Sequence, residues 1–308
     1  MKMKGFPFSL GLCLNAVFPS AVSDYHAMED SLNRIASGRL FSAVEFYHDG
    51  PDEHLEKIAR FCRDRDLSVV FLAGYLLKKE RLDIASPDEP ARQRAVSTCK
   101  TLLRQAHLLG AKKMLVLSGG DGLKQGTWPI VQSTVKSIRE LIVYGDQLYG
   151  QTCPQITLEF FNPFGEPFLS VGTPDMVMEI ASLLDSRLFG ITFDTSHVAQ
   201  MGRDISQTMQ ALHTGVKHLH LANSVSKYTD HPLYGDRHPL FDIPQGDFSV
   251  QDIAAFLVSG QQRRLFDRVD ICSAEAICRE AGKEEAFYEQ LRQQVQTIFT
   301  IASEIDRF

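Results

Sequence analysis

The chain has 308 residues, of which 44% are hydrophobic and 23% are charged, and its formal net charge is −6. This composition is ordinary for a globular protein with a large core, and the length suits one α/β barrel as well as two smaller domains. The negative net charge supplies no global basic field for a polyanion, so we expect no nucleic-acid partner.

Cysteine usage and hydropathy indicate the compartment. The six cysteines are scattered, with no C-x-x-C pair, which favours reduced thiols in a cytoplasmic protein. Residues 1–18 begin with lysines and an apolar run, as signal peptides do. Pro7, Ser9 and Asn15 interrupt that run, which instead suits a first buried strand. No other stretch reaches the roughly 20 apolar residues of a membrane helix, so we expect no membrane segment.

Strand-like runs alternate with amphipathic, helix-like runs along the chain. Strands are predicted near residues 6–14, 42–47, 67–74, 113–118, 155–161, 189–194, 216–221 and 268–275. Helices are predicted near residues 24–37, 51–65, 87–109, 130–149, 174–186, 204–213, 249–258 and 283–304. Eight alternations predict an α/β fold, a single (β/α)8 TIM barrel over residues 1–308. A doubly wound sheet is the main alternative, but its usual glycine-rich phosphate turn after the first strand is missing.

One long irregular segment, residues 222–248, follows the seventh predicted strand. Loops of this length inside a compact domain are uncommon and are often functional. In a barrel, this loop would lie on the catalytic face, at the carboxyl ends of the strands. We therefore expect an active-site loop here.

Four of the predicted strands end in a residue that can ligate a metal. These residues are Glu159, Asp194, His220 and Glu275. Burying an unpaired charge at the end of an apolar strand is costly, so four such groups suggest convergence on a cation. Side-chain alternation allows all four to point inward at the carboxyl-terminal rim. Three carboxylates and one imidazole suit one divalent cation (Mn, Mg, Co or Zn), with manganese slightly favoured.

The motifs around these residues resemble a known family. They are L-E-F-F-N at 158–162, F-D-T-S-H at 193–197, H-L-H at 218–220 and S-A-E at 273–275. They resemble the xylose isomerase-like TIM barrels, which include ketose 3-epimerases, inosose dehydratases, isomerases and, more distantly, endonuclease IV. The resemblance implies that the four strand-end residues are the metal ligands. It also implies that His197, Asn162 and Glu166 bind substrate, although Pro163 replaces the arginine that usually follows the asparagine in epimerases.

The reaction that the resemblance implies is isomerisation or epimerisation of a small sugar or polyol. The cation would chelate a carbonyl and an adjacent hydroxyl and so stabilise the charge that develops when the α-proton leaves. Glu159 and Glu275, on different strands, would remove the proton from one face and return it to the other. A dehydratase or lyase would use the same proton chemistry, and a non-catalytic barrel is a further alternative.

A second interpretation arises from D-R-H at 236–238, which resembles a metal-binding motif of endonuclease IV. A second cation could be held by His197, Asp236 and His238, which would favour a dinuclear, phosphoesterase-like hydrolase of a small substrate. Alternatively, Arg237 and His238 would contact substrate hydroxyls or a phosphate. The histidines that the endonuclease carries after strands 3 and 4 are missing here, which again argues against nucleic acid. The sequence leaves open the substrate, the native ion and whether the protein forms a homo-oligomer.

Overall fold

The computed structural model describes residues 5–120, 126–162 and 169–305. Eight strands pair in chain order, and the eighth returns to the first in parallel, so that they form a closed barrel. The strands are β1 (Ser9–Cys13), β2 (Ala43–Phe46), β3 (Ser68–Leu72), β4 (Lys113–Leu117), β5 (Gln155–Glu159), β6 (Phe189–Asp194), β7 (Val216–Ala222) and β8 (Ile271–Glu275). The predicted TIM-barrel fold is confirmed.

Helices alternate with these strands in the described part of the chain. They are α1 (Leu14–Val17), α2 (Tyr25–Gly38), α3 (Asp52–Asp64), α4 (Ala73–Lys79), α5 (Glu89–Leu108), α6 (Thr127–Tyr149), α7 (Pro174–Leu184), α8 (Thr195–Gln200), α9 (Ile205–Leu212), α10 (Val250–Gln262) and α11 (Glu284–Ile305). Within the described ranges, no helix is long and apolar enough to cross a bilayer.

The sequence did not predict three short helices, α1, α4 and α8, each of which begins directly after a strand. The predicted third strand, 67–74, is too long, because β3 ends at Leu72 and α4 begins at Ala73. Short apolar runs fit a buried strand and a buried helix equally well, so periodicity could not place this boundary. Helix α8 has a specific cause, since the side chain of Asp194 caps its first turn.

The chain contains two compact units, Met1–Val44 with Phe193–Phe308, and Glu45–Thr192. The first unit includes β1, β7, β8 and the loop after β7. The second includes β3, β4 and β5. Strands β2 and β6 contribute residues to both units. That residues 1–308 act as one domain stays a prediction.

The long loop 222–248 is tied down where it leaves β7. The side-chain oxygen of Asn223 accepts hydrogen bonds from the backbone N–H groups of Ser224 and Phe248, both at 2.9 Å. Its amide nitrogen donates to the carbonyl oxygen of Leu240, also at 2.9 Å. One buried asparagine thus joins the two ends and the middle of the loop.

A second bridge across this loop is formed by Asp247. Its two carboxylate oxygens accept hydrogen bonds from the hydroxyls of Ser224 and Ser226, each at 2.7 Å. Its backbone N–H also donates to the carbonyl oxygen of Ser224 at 2.8 Å. Hydrogen bonds therefore join the beginning of the loop to its end.

Candidate metal centre

Three of the predicted metal ligands belong to the same compact unit and lie together near the carboxyl ends of their strands. Asp194, His220 and Glu275 each offer one ligand atom, and these atoms lie within 4.8 Å of one another. His220 Nδ1 is 2.8 Å from Glu275 Oε2 and 3.6 Å from Asp194 Oδ2. The parallel register of β7 and β8 aligns His220 with Ser273, which places Glu275 two pairs further along, opposite Ala222 and on the same face. Strand geometry thus holds the cluster.

The two oxygens of Asp194 have different environments. Oδ1 accepts hydrogen bonds from the hydroxyl and the N–H of Ser196, both at 2.6 Å, and from the N–H of His197 at 3.3 Å. Oδ2 is buried and has no hydrogen-bond partner among the described residues. A buried carboxylate oxygen without a donor is costly, and a cation would satisfy it. The donor set therefore fits a divalent metal.

The electrostatic environment keeps Asp194 ionised. Burial acts to raise the pKa of this carboxyl, but the charge of His197 and the nearby rings of His220 and His238 hold it well below its usual range. An ionised carboxylate is the form that binds a metal.

Asp194 also belongs to a second group, with His197 and His238, whose ligand atoms again lie within 4.8 Å of one another. The two imidazole rings meet edge to face, with 5.3 Å between their centroids. The predicted third member, Asp236, instead contacts the far side of the ring, with its Oδ1 2.6 Å from His238 Nε2. His238 Nδ1 lies 3.3 Å from the hydroxyl of Ser196.

His238 is cationic in this arrangement. Burial acts to lower its pKa, but the charges of Glu275, Asp236 and Asp194 raise the pKa to about 10. A protonated imidazole donates hydrogen bonds from both nitrogens and cannot ligate a metal. A second cation at this position would therefore have to displace a tightly held proton.

The other predicted residues occupy separate places. Glu159 ends β5, where it is 5% exposed and pairs in register with Thr192 of β6. Because β6 continues to Asp194, Glu159 and Asp194 end neighbouring strands. Asn162 is half-buried three residues beyond Glu159, and Glu166 lies outside the described residues.

Arg237 differs from both of its neighbours. The side chains of Asp236 and His238 are largely buried, whereas Arg237 is exposed. Its contribution to a substrate site stays a prediction.

One residue near the centre was not predicted. Cys13 ends β1, and its Sγ lies 3.9 Å from His220 Nε2, the nitrogen opposite the one that faces Glu275. From the sequence, Cys13 was predicted only to be one of six scattered, reduced thiols. The available signal was its position, because Cys13 ends its strand as the four ligands end theirs.

These features define a (β/α)8 barrel whose strand ends carry buried carboxylate and imidazole clusters that could bind a metal ion. Residues 36–259, well over half of the chain, match the family described as xylose isomerase-like TIM barrel. The chain belongs to this family. No curated protein sequence gives a significant match.

Solved structures with the same fold include sugar epimerases. An L-ribulose 3-epimerase is 16% identical with a TM-score of 0.74, over 97% of this chain and 97% of that one. A D-tagatose 3-epimerase-like protein is 18% identical with a TM-score of 0.69, over 94% and 98%. The IolI protein with a binding zinc atom is 17% identical with a TM-score of 0.71, over 95% and 98%. At these identities, the similarity shows the fold alone.

Proposed function

We propose that this protein is a divalent-metal-dependent isomerase or epimerase of a small sugar or polyol. The observation that carries the proposal is the cluster of Asp194, His220 and Glu275, in which the buried Oδ2 of Asp194 has no hydrogen-bond partner among the described residues. Family membership and the epimerase names among the structural neighbours support the reaction class.

In this proposal, Asp194, His220 and Glu275 hold the cation, and Glu159 supplies a fourth ligand from the neighbouring strand. Manganese is slightly favoured by the oxygen-rich donors, and zinc is the metal named for the IolI structure. When bound, the cation would polarise the substrate carbonyl and make the adjacent C–H more acidic.

Glu275 and Glu159 would act as the proton-transferring pair at the carbon next to the carbonyl. Glu275 is 20% exposed and lies 2.8 Å from His220 Nδ1, so its carboxylate belongs to the cluster and is also accessible to substrate. Glu159 belongs to a different strand. Carboxylates on two strands would take the proton from one face and return it to the other.

Four further residues would bind the substrate hydroxyls. They are His197, His238, Asn162 and Glu166. The cationic His238 would donate a hydrogen bond to a substrate oxygen, while Asp236 fixes its ring through the 2.6 Å contact.

A dinuclear hydrolase of a small phosphoester is the second candidate. The specific observation that favours it is the group formed by Asp194, His197 and His238, with ligand atoms within 4.8 Å of one another. Two cations sharing one carboxylate would suit hydrolysis by a bound hydroxide.

Hydrogen exchange at carbon tests the proposal. The manganese-loaded protein is incubated in D₂O with a panel of ketopentoses and ketohexoses, and NMR follows deuterium entry next to the carbonyl. We expect exchange with at least one sugar, about 1,000-fold slower exchange in Glu275→Gln, and normal exchange in the surface control Glu285→Gln. Wild-type exchange rates in Glu275→Gln would refute the two-glutamate mechanism. Two ions per chain with phosphatase activity and no exchange would favour the hydrolase.

A further inference from the structure

A cavity of about 360 Å³ lies behind the Asp236–His238 segment and is distinct from the metal cluster. Its walls come from the loop after β7, the segment after β8 and the start of α11, all within one compact unit. Leu240, Ile277 and Phe287 supply apolar surface. This volume falls in the range of small-molecule pockets.

The charge of the cavity is opposite to that of the whole chain. Its lining includes three basic side chains, Arg237, Arg279 and Lys283, and a single acidic one, Glu280. The formal net charge of the whole chain, in contrast, is −6. Lys283 forms an ion pair with Glu280. In the described part of the chain, neither arginine forms an ion pair with a carboxylate. Two guanidinium groups therefore line one cavity without a directly paired carboxylate among the described residues.

The two arginines repel each other. Burial and the charge of Arg237 lower the pKa of Arg279, and Asp236 opposes this effect. Arg279 Nη2 donates a hydrogen bond to the carbonyl oxygen of Arg237 at 3.1 Å, which keeps the pair at this wall. An anion placed between them would relieve the repulsion and could accept forked hydrogen bonds from both.

We propose that this cavity binds a small organic anion. Its carboxylate or phosphate group would lie between Arg237 and Arg279, and its apolar body would contact Ile277, Leu240 and Phe287. The anionic head satisfies the arginines, and the apolar body removes the exposed hydrophobic wall from water. This assignment does not depend on the reaction proposed for the metal centre.

The cavity shares its backbone with that centre. Arg237 lies between Asp236 and His238 in the chain, and the N–H of Ile277 donates to the carbonyl oxygen of His238 at 2.8 Å. Ile277 follows Glu275 by two residues. An anion bound to Arg237 and Arg279 therefore restrains the two segments that position His238 and Glu275. The bound ligand is expected to protect these segments from hydrogen–deuterium exchange.

Calorimetric titration with defined probes tests the site. The probes are phenyl phosphate, benzoate and inorganic phosphate, each applied to manganese-loaded and chelator-treated protein. We expect saturable binding of phenyl phosphate or benzoate in both preparations, and weaker binding of inorganic phosphate, which lacks the apolar body. Comparison of phenyl phosphate with benzoate identifies the anionic group that the arginines prefer.

Variants locate the binding. Arg279→Gln and Arg237→Gln are each expected to weaken binding about 10- to 100-fold, while the exposed helix control Arg60→Gln stays within twofold of wild type. Metal content and circular dichroism confirm that each variant is folded and loaded. The proposal is overturned if no organic probe binds the wild type, or if both cavity variants bind as the wild type does. Absence of sugar exchange at the metal centre would leave this result unaffected.

Discussion

Two groups of residues face Asp194, and they are positioned by different means. His220 and Glu275 lie on paired strands, so backbone register sets their separation. Asp236 and His238 belong to a loop and depend on the side-chain bonds of Asn223 and Asp247. A strand can slip only by moving its whole hydrophobic face, whereas a loop loses its position when a few hydrogen bonds break. The strand-held group is thus suited to holding a metal in a fixed position. The loop-held group is suited to adjusting its position around a substrate.

The largest effect is expected from changing the strand-held group. Asp194→Asn keeps the helix cap, since asparagine caps as well as aspartate does, but it removes the charge. We expect manganese affinity to fall at least 100-fold. We also expect the metal-free protein to lose stability at neutral pH, because ionised Asp194 interacts favourably with His197 and His238. Asp194→Ala should lose the same affinity and a further ~1 kcal/mol of stability with the cap. Metal titration and urea unfolding measure the two quantities, and wild-type affinity in Asp194→Asn would exclude Asp194 as a ligand.

An intermediate effect is expected from loosening the loop. Asn223→Ala removes three hydrogen bonds and should lower the free energy of unfolding by about 2–3 kcal/mol. Metal affinity should stay near that of the wild type, because the strands are untouched. The exposed Asn33→Ala, on α2, is the matched control. A parallel loss of metal would show that the two groups are not independent.

The smallest effect is a pH dependence of stability. The pKa of His238 is raised to about 10 in the folded protein, against about 6.5 for an ordinary histidine. This group therefore stabilises the metal-free protein fully below about pH 6.5, and that contribution is lost as the pH rises towards 10. Between pH 7 and pH 8, we expect metal-free wild type to lose about 1 kcal/mol of stability from this group, and His238→Gln to lose less. Equal slopes in urea unfolding would show that His238 is neutral.

The fold and the strand-held residues could be predicted because helices and strands each have a regular spacing of apolar residues in the sequence. Alternation along β6 and β7 is enough to place Asp194 and His220 on one face. The loop-held contacts could not be predicted. His238, Asp242 and Gln245 all have positive φ angles of 40° to 62°, although none is glycine, so no local signal marks the path of the chain. The position of Asp236 on the far side of His238 depends on that path.

Asp194 performs two tasks through its two oxygens, and this has a consequence for transplanting the site. One oxygen fixes the first turn of α8 and hence His197, while the other faces His220. A designer who grafted the aspartate onto another strand without the turn that follows would obtain a ligand with the wrong rotamer and no neighbouring imidazole. The segment Asp194–His197 is therefore the smallest module that could be moved intact to another barrel.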